Sequence, residues 1–138
     1  MSGAIAKKLG IKEGKRAIFV NASKDVIAHI DPPSLDLATE LSGHFDYIHF
    51  FVTNQEEFKT RFPELKKHLN PTGALWVSWP KNGQLDTDLT LPTVIKLGYD
   101  EGLVESKTIG IDSTWSAIKF THPKKGKVYN NSYGTLKS

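Results

Sequence analysis

The chain has 138 residues, of which 38% are hydrophobic and 24% charged, and this is the balance of one soluble globular domain. It contains no cysteine, which excludes a disulfide scaffold, a thiol nucleophile, iron–sulfur ligation and thiolate zinc sites. No apolar run approaches the ~20 residues of a membrane span, and residues 1–8 lack the charged-then-apolar pattern of a signal peptide. We therefore expect a cytoplasmic protein with no membrane partner.

The basic charge of the chain is concentrated at its carboxyl end. Residues 122–138 carry four lysines and no acidic residue, whereas the remainder carries fourteen basic and fifteen acidic residues, a net charge of −1. We expect residues 1–121 to form one α/β domain and residues 122–138 to be a basic, disordered tail. The tail is interpreted as a solubilising end or as a weak tether to nucleic acid or an anionic surface.

The first third of the chain predicts a strand, a short helix and a second strand after a polar lead-in over residues 9–15. The compact apolar run at residues 16–21 is typical of a buried strand. Ser23 is a good N-cap for a helix that reaches about His29, and the following Asp-Pro-Pro sequence must end that helix. Residues 35–41 are interpreted as a short edge strand.

The middle of the chain carries its strongest periodic signals. Residues 45–52 are apolar on both faces and predict the central strand. Residues 54–69 have apolar side chains at helical spacing, with Asn54 as N-cap, and residues 70–73 end this helix. Another strand is predicted over residues 74–79.

The last part of the domain predicts a helix and a β-hairpin after a polar loop at residues 80–87. The helix begins at Asp88 or Thr90. Two strands follow, joined by Asp112-Ser113; they span residues 103–111 and 114–121. Because strands alternate with helices, we predict a three-layer α/β sandwich with a mostly parallel sheet and an antiparallel last strand.

Ligands of open parallel sheets bind beyond the carboxyl ends of the strands. The loops predicted at that edge carry five candidate ligand-binding residues: Trp79, Lys81, Asp88, Asp112 and Trp115. The loops at the opposite edge, 42–44 and 70–73, are interpreted as plain connectors.

Each candidate also has a structural interpretation. The Trp79-Pro80-Lys81 sequence is either a packing cap at a strand end or an aromatic wall beside a cation that meets an anionic ligand. The segment 112–116 is either a turn stabilised by its own side chains or a set of polar ligand contacts. Helix capping explains one of Asp86 and Asp88, whereas a general acid–base pair or a magnesium site would need both carboxylates.

The remaining polar residues give weaker signals. The five histidines lack the spacing of metal ligands, so no metal site is predicted, and His49 is interpreted as a hydrogen-bonded core residue. Lys119 is either a solvated stem on the last strand or a buried amine near Asp112.

Two longer stretches, residues 43–52 and 65–77, together with the final hairpin, resemble the later half of class I methyltransferase domains. They share a strand beginning with Phe-Asp, a helix, a Leu-x-Pro-x-Gly segment and a further strand. The resemblance implies a truncated Rossmann-like fold and S-adenosylmethionine as the possible cofactor. The glycine-rich cofactor loop is replaced here by a stretch in which Asn21 and Ser23 would meet the cofactor, and Glu40 is the one candidate for its ribose hydroxyls.

A tighter resemblance, over residues 9–121, is to a small bacterial family of unknown function (domain of unknown function 3052), which has no assigned activity to transfer. The shared motifs are Leu9-Gly-Ile-x-x-Gly14, Trp76-Val-x-Trp79-Pro-Lys81, Thr87-Asp88-Leu89 and Asp112-x-Thr114-Trp115-Ser116-x-x-Lys119-Phe120.

Three functional hypotheses follow from these observations. The leading one is a non-catalytic or vestigial methyltransferase-like domain, without a cofactor, that binds a small ligand or a protein partner at the carboxyl edge of its sheet. The second is an S-adenosylmethionine-dependent methyltransferase with an altered cofactor loop. The third is weak binding of nucleic acid or an anionic surface through the basic tail, since the body offers no basic surface of the kind that nucleic-acid-binding domains show.

Overall fold

Six β-strands and four α-helices alternate along residues 3–129, the part of the chain that the computed structural model describes. The helices are α1 Ala4–Leu9, α2 Lys24–Ile30, α3 Gln55–Lys67 and α4 Leu91–Asp100. The strands are β1 Arg16–Val20, β2 Asp36–Leu37, β3 Phe45–Phe51, β4 Leu69–Pro80, β5 Val104–Gly110 and β6 Trp115–Thr121.

The strands form one sheet in the order β2-β1-β3-β4-β6-β5. Strands β2, β1, β3 and β4 are parallel, and β6 runs antiparallel to both of its neighbours. The predicted mixed sheet with an antiparallel last strand is therefore confirmed. The chain leaves β1 towards β2 and later returns to the other side of β1 as β3, so the point where the strand order reverses lies between β1 and β3.

Helices cover both faces of the sheet and create two apolar cores. The larger core lies under α3 and α4, where Phe58, Phe62 and Val94 are fully buried. The smaller core lies under α1 and α2, where Leu9 and Trp76 are buried. The two cores make the three-layer sandwich that the alternating pattern predicts.

Side-chain caps fix the starts of three helices. Ser23 accepts a hydrogen bond from the backbone amide of Val26 at 3.1 Å, and Asn54 accepts one from Glu57 at 2.7 Å. Both predicted caps are confirmed. The open choice between Asp88 and Thr90 for the last helix is settled in favour of Thr90, which caps α4.

Three elements differ from the prediction. Helix α1 was not predicted because six residues are too few to show a helical period, and it is held by tertiary packing of Leu9. Strand β4 begins at Leu69, which pairs with Phe45, so residues 70–73 lie within an irregular stretch of strand rather than in a connector. The expected edge strand at 35–41 shrinks to two residues.

The predicted polar loop after β4 forms a kinked 3₁₀ segment, Lys81–Asp86. The described part of the predicted tail, residues 122–129, contains neither helix nor strand, and Tyr129 packs against the larger core. Residues 130–138 lie outside the described residues, so the expected disorder there stays a prediction. Within residues 3–129, none of the helices has both the length and the apolar character needed to cross a bilayer.

Candidate functional site

The carboxyl edge of the sheet brings the end of β4 against the β5–β6 hairpin. The ammonium group of Lys81 donates a hydrogen bond to the backbone carbonyl of Asp112 at 2.6 Å, and the backbone amide of Lys81 donates to the carbonyl of Thr114 at 2.7 Å. Gln84 adds a third link, from its side-chain amide to the carbonyl of Ser113 at 3.0 Å. Two segments about thirty residues apart in sequence are thus fixed to each other.

A groove of about 400 Å³ lies beside this junction, between the ends of β4 and β6, the 3₁₀ segment and the start of α4. Its lining is Trp79, Pro80, Lys81, Asn82, Gly83, Leu89, Thr90, Leu91 and Ser116. Trp79 and Leu89 are almost fully buried and give it an apolar wall, whereas Lys81 is only half-buried. This volume lies within the range of small-molecule sites in proteins.

The five candidate residues are only partly brought together. Trp79 and Lys81 line the groove, and Asp112 reaches it through its backbone contact with Lys81. The carboxylate of Asp112 accepts hydrogen bonds from the backbone amides of Thr114 and Trp115, both at 2.8 Å, which is the turn chemistry weighed for this segment.

The other two candidates lie elsewhere. The carboxylate of Asp88 accepts a hydrogen bond from the backbone amide of Gln55 at 2.9 Å, so it stabilises the N-terminus of α3. Trp115 lies on the opposite face of the sheet from Trp79 and packs edge-on against Phe51, with ring centroids 5.1 Å apart. Neither residue lines the groove.

Sequence reasoning missed Leu89, Thr90 and Leu91 as lining residues of the groove, whereas Ser116 belongs to the segment 112–116 that it weighed as possible ligand contacts. The sequence indicates Thr90 as the N-cap of a helix, but a capping preference does not indicate that a residue lines a groove. The sequence does not show which face of the sheet Ser116 occupies. Its pairing with Trp79 places it on the groove side.

The crevice between β1 and β3 is where the candidate cofactor-binding residues Asn21 and Ser23 lie. Asn21 adopts a left-handed backbone conformation with φ of 63°, which glycine would otherwise supply. Its side-chain amide donates hydrogen bonds to the carbonyl of Phe51 and to a carboxylate oxygen of Glu57, both at 3.1 Å. Asn21 therefore bridges the two sides of this crevice, while Ser23 is engaged as the cap of α2.

Three buried polar side chains are linked by hydrogen bonds on the sheet face that α1 and α2 cover. The hydroxyl of Tyr47 lies 2.7 Å from Nδ1 of His49, and Nε2 of His49 lies 2.7 Å from the hydroxyl of Ser78. Burial lowers the pKa of His49 to about 3 and raises the pKa of Tyr47 well above its ordinary value. His49 is thus the hydrogen-bonded core residue that the sequence predicts. His49 and Ser78 are both fully buried, so neither can meet a substrate from solvent.

No group of three or more potential metal-ligating His, Asp or Glu side chains comes together within residues 3–129.

Comparisons with protein-family models and with curated protein sequences give no match. Solved structures do match. Ribosomal protein L11 methylase from Lactobacillus delbrueckii subsp. bulgaricus superposes with a TM-score of 0.60 at 12% identity, over 87% of this chain and 77% of that chain. Magnesium protoporphyrin IX methyltransferase from Synechocystis PCC 6803 with bound SAH gives 0.61 at 12% identity, over 86% and 80%. Precorrin-6y C5,15-methyltransferase from Geobacter metallireducens GS-15 gives 0.57 at 8% identity, over 86% of each chain.

The chain has the methyltransferase-like Rossmann fold. The fold implied by the resemblance of residues 43–52 and 65–77 to methyltransferases is therefore confirmed. At these identities the likeness shows the fold alone. The tighter resemblance to a small bacterial family stays a prediction.

Proposed function

We propose that this methyltransferase-like domain binds a small ligand in the groove beside Trp79 and Lys81. The observation that carries the proposal is the position of Lys81, whose ammonium is held against the β5–β6 hairpin and borders a groove of about 400 Å³. The groove lies at the carboxyl ends of the strands, where open α/β sheets bind their ligands.

The lining indicates the character of the ligand. Trp79 and Leu89 offer an apolar wall, and Lys81 and Ser116 place polar groups at the rim. An ammonium carries three N–H donors, and one of those of Lys81 is directed at the carbonyl of Asp112. A ligand with an apolar body and an anionic or hydrogen-bond-accepting end would satisfy both parts of the lining.

Backbone strain in the 3₁₀ segment supports the same site. Asn82, Leu85 and Asp86 all have positive φ, between 53° and 55°, although none of them is glycine. Each such residue costs on the order of 1–3 kcal/mol, and such residues cluster at ligand clamps and active sites. Asn82 lines the groove directly.

Lys81→Gln is expected to weaken ligand binding about tenfold or more, because a charged hydrogen-bond donor is lost. The measurement is a thermal-shift screen against mononucleotides, carboxylates, phosphate esters, S-adenosylmethionine and S-adenosylhomocysteine, followed by calorimetric titration of each hit. The control is Lys67→Gln, which removes the same charge from the exposed last turn of α3. Equal affinity of the wild type and Lys81→Gln for every hit, or no hit at all, would contradict the proposal.

A second candidate is an S-adenosylmethionine-dependent methyltransferase. The three solved structures described above are a methylase and two methyltransferases, one of them with bound SAH, so they favour this candidate over a domain without activity. Asn21 also retains the left-handed backbone geometry of a glycine.

The residues in the β1–β3 crevice do not fit a cofactor bound in the manner of a glycine-rich loop. Such a loop lets the ligand approach the backbone because no side chain intervenes. Here the side-chain amide of Asn21 stands in the crevice and joins the carbonyl of Phe51 to Glu57. We therefore place the ligand of the leading proposal in the Trp79–Lys81 groove and not in this crevice.

Calorimetric titration with S-adenosylmethionine and S-adenosylhomocysteine is expected to show no binding to the wild type. Asn21→Gly should fold normally, since glycine adopts φ near 63° without strain. Binding that arises only in Asn21→Gly would show that the asparagine closes the crevice. Binding to the wild type with Kd below about 100 μM, about −5.5 kcal/mol, that Lys81→Gln leaves unchanged would instead favour the methyltransferase candidate.

A further inference from the structure

A second cavity, of about 310 Å³, lies at the opposite edge of the sheet, where the parallel strands begin. It opens between the loop after α1 and the sheet face that α1 covers. Its lining is Leu9, Gly10, Ile11, Lys12, Lys15, Asp46, Tyr47, Thr72, Ala74 and Lys119. The sequence predicts plain connectors at residues 42–44 and 70–73 on this edge. That prediction is wrong for residues 70–73, which lie within β4 and contribute Thr72 to the lining.

The loop that forms one wall is held in place by hydrogen bonds. The indole N–H of Trp76 donates to the carbonyl of Leu9 at 3.1 Å, and the amide of Ile11 donates to the carbonyl of Ala6 at 3.1 Å. Gly10 closes α1 in a left-handed conformation with φ of 72°. The wall is therefore preformed, which lowers the entropic cost of binding.

Lys119 lines the cavity from the last strand. It lies on β6 directly opposite the buried Trp76, and its side chain is half-buried on the α1 side of the sheet. The alternative in which Lys119 is a buried amine near Asp112 is wrong, because Asp112 lies at the carboxyl edge and Lys119 at the other end of β6. Across the sheet Lys119 faces Lys107, and like charges directly opposite each other are unfavourable.

The lining has an excess of positive charge. It contains three lysines and one carboxylate, Asp46, and that carboxylate already accepts hydrogen bonds from the side chain of Asn70 and the backbone amide of Arg16. Within residues 3–129, none of the three lysines forms an ion pair with a carboxylate. An anion in the cavity would relieve the repulsion among them.

We propose that this cavity binds a small phosphorylated metabolite, with its phosphate held by Lys12, Lys15 and Lys119. A phosphate dianion matches several ammonium donors at once, and the hydroxyl of Thr72 adds a neutral donor at the rim. The volume suits a small ester and not a folded polyanion. This site is separate from the Trp79–Lys81 groove and does not depend on it.

The test uses the full chain, with inorganic pyrophosphate as the probe in calorimetric titration. The double variant Lys12→Gln/Lys119→Gln is expected to lower the affinity about tenfold or more, since it removes two charged contacts. The matched control, Lys124→Gln/Lys125→Gln, removes the same charge from the tail and should leave the affinity within about twofold. Equal losses in the two variants, or no binding by the wild type, would overturn the proposal.

A second measurement guards against a folding defect, because Lys119 is half-buried. The single variant Lys12→Gln changes an exposed side chain and should still lower the affinity by about threefold. In amide NMR spectra of the wild type, pyrophosphate should shift the signals of Gly10, Ile11 and Thr72. Shifts confined to residues 122–138 would assign the binding to the tail and overturn the proposal.

Discussion

Lowering the pH from 7 to 4.5 is expected to destabilise the protein by roughly 2.5 kcal/mol through His49 alone. Its imidazole is fully buried, bonded to the hydroxyls of Tyr47 and Ser78, and stacked on the ring of Phe51 with centroids 4.5 Å apart. Burial favours the neutral ring and lowers its pKa from 6.5 to about 3.

The direction of the pH effect follows from proton binding. Between pH 6.5 and about 3 the unfolded chain binds a proton at His49 that the folded protein does not bind. The stability from the neutral ring is therefore present above pH 6.5, and it falls by about 1.4 kcal/mol per pH unit between pH 6.5 and about 3.

Urea unfolding of the wild type and His49→Gln at pH 7 and pH 4.5 isolates this contribution, because the carboxylates titrate alike in both proteins. Glutamine keeps one donor and one acceptor, so the variant should fold, with some loss of stability at pH 7 from an unpaired buried hydroxyl. The variant should lose roughly 2.5 kcal/mol less than the wild type on acidification. His44→Gln, at an exposed position, should behave as the wild type. An equal loss in His49→Gln and the wild type would show that His49 is not the group responsible.

Gly98→Ala is expected to destabilise the protein by about 3 kcal/mol, although alanine normally stabilises a helix by about 1 kcal/mol relative to glycine. Gly98 lies buried within α4, and an added Cβ would stand 2.1 Å from Cε1 of Phe120. Phe120 is itself fully buried and packs edge-on against Phe62, with ring centroids 5.6 Å apart. The surrounding core therefore prevents its ring from shifting away from the added methyl group. The steric conflict therefore outweighs the helix propensity.

A double-mutant cycle with Phe120→Leu tests the cause. The leucine costs about 1 kcal/mol or more by itself through lost packing, but it removes the ring that the new methyl group would meet. Gly98→Ala should then cost less than about 1 kcal/mol in the Phe120→Leu background. Additive losses in chemical denaturation would place the conflict elsewhere.

Much of the fold could be predicted because its signals are local. The mainly apolar runs within residues 16–21 and 45–52 mark β1 and β3, since both strands are largely buried on both faces. The caps Ser23 and Asn54 were recognisable because a short polar side chain before a periodic apolar segment has one main structural use. The short helix α1 could not be recognised, because its stability comes from contacts with residues distant in the sequence.

The candidate site residues show the same difference between local signals and contacts made by tertiary structure. The sequence by itself determined that Trp79, Lys81 and the hairpin follow strand ends, and strand order then places them at one edge of the sheet. It could not show that Asp88 stabilises the start of α3 or that Trp115 lies on the other face, because both depend on pairing between distant segments.

Only the tertiary structure decided which cavities exist. Two lysines of the second cavity, Lys12 in a loop and Lys119 on the last strand, lie more than a hundred residues apart in the sequence. The bridge from Asn21 to Phe51 and Glu57 likewise joins three elements. Local patterns determine whether a segment is a strand or a helix, whereas the shape and charge of a site arise where segments meet, because side-chain contacts between them carry no local signature.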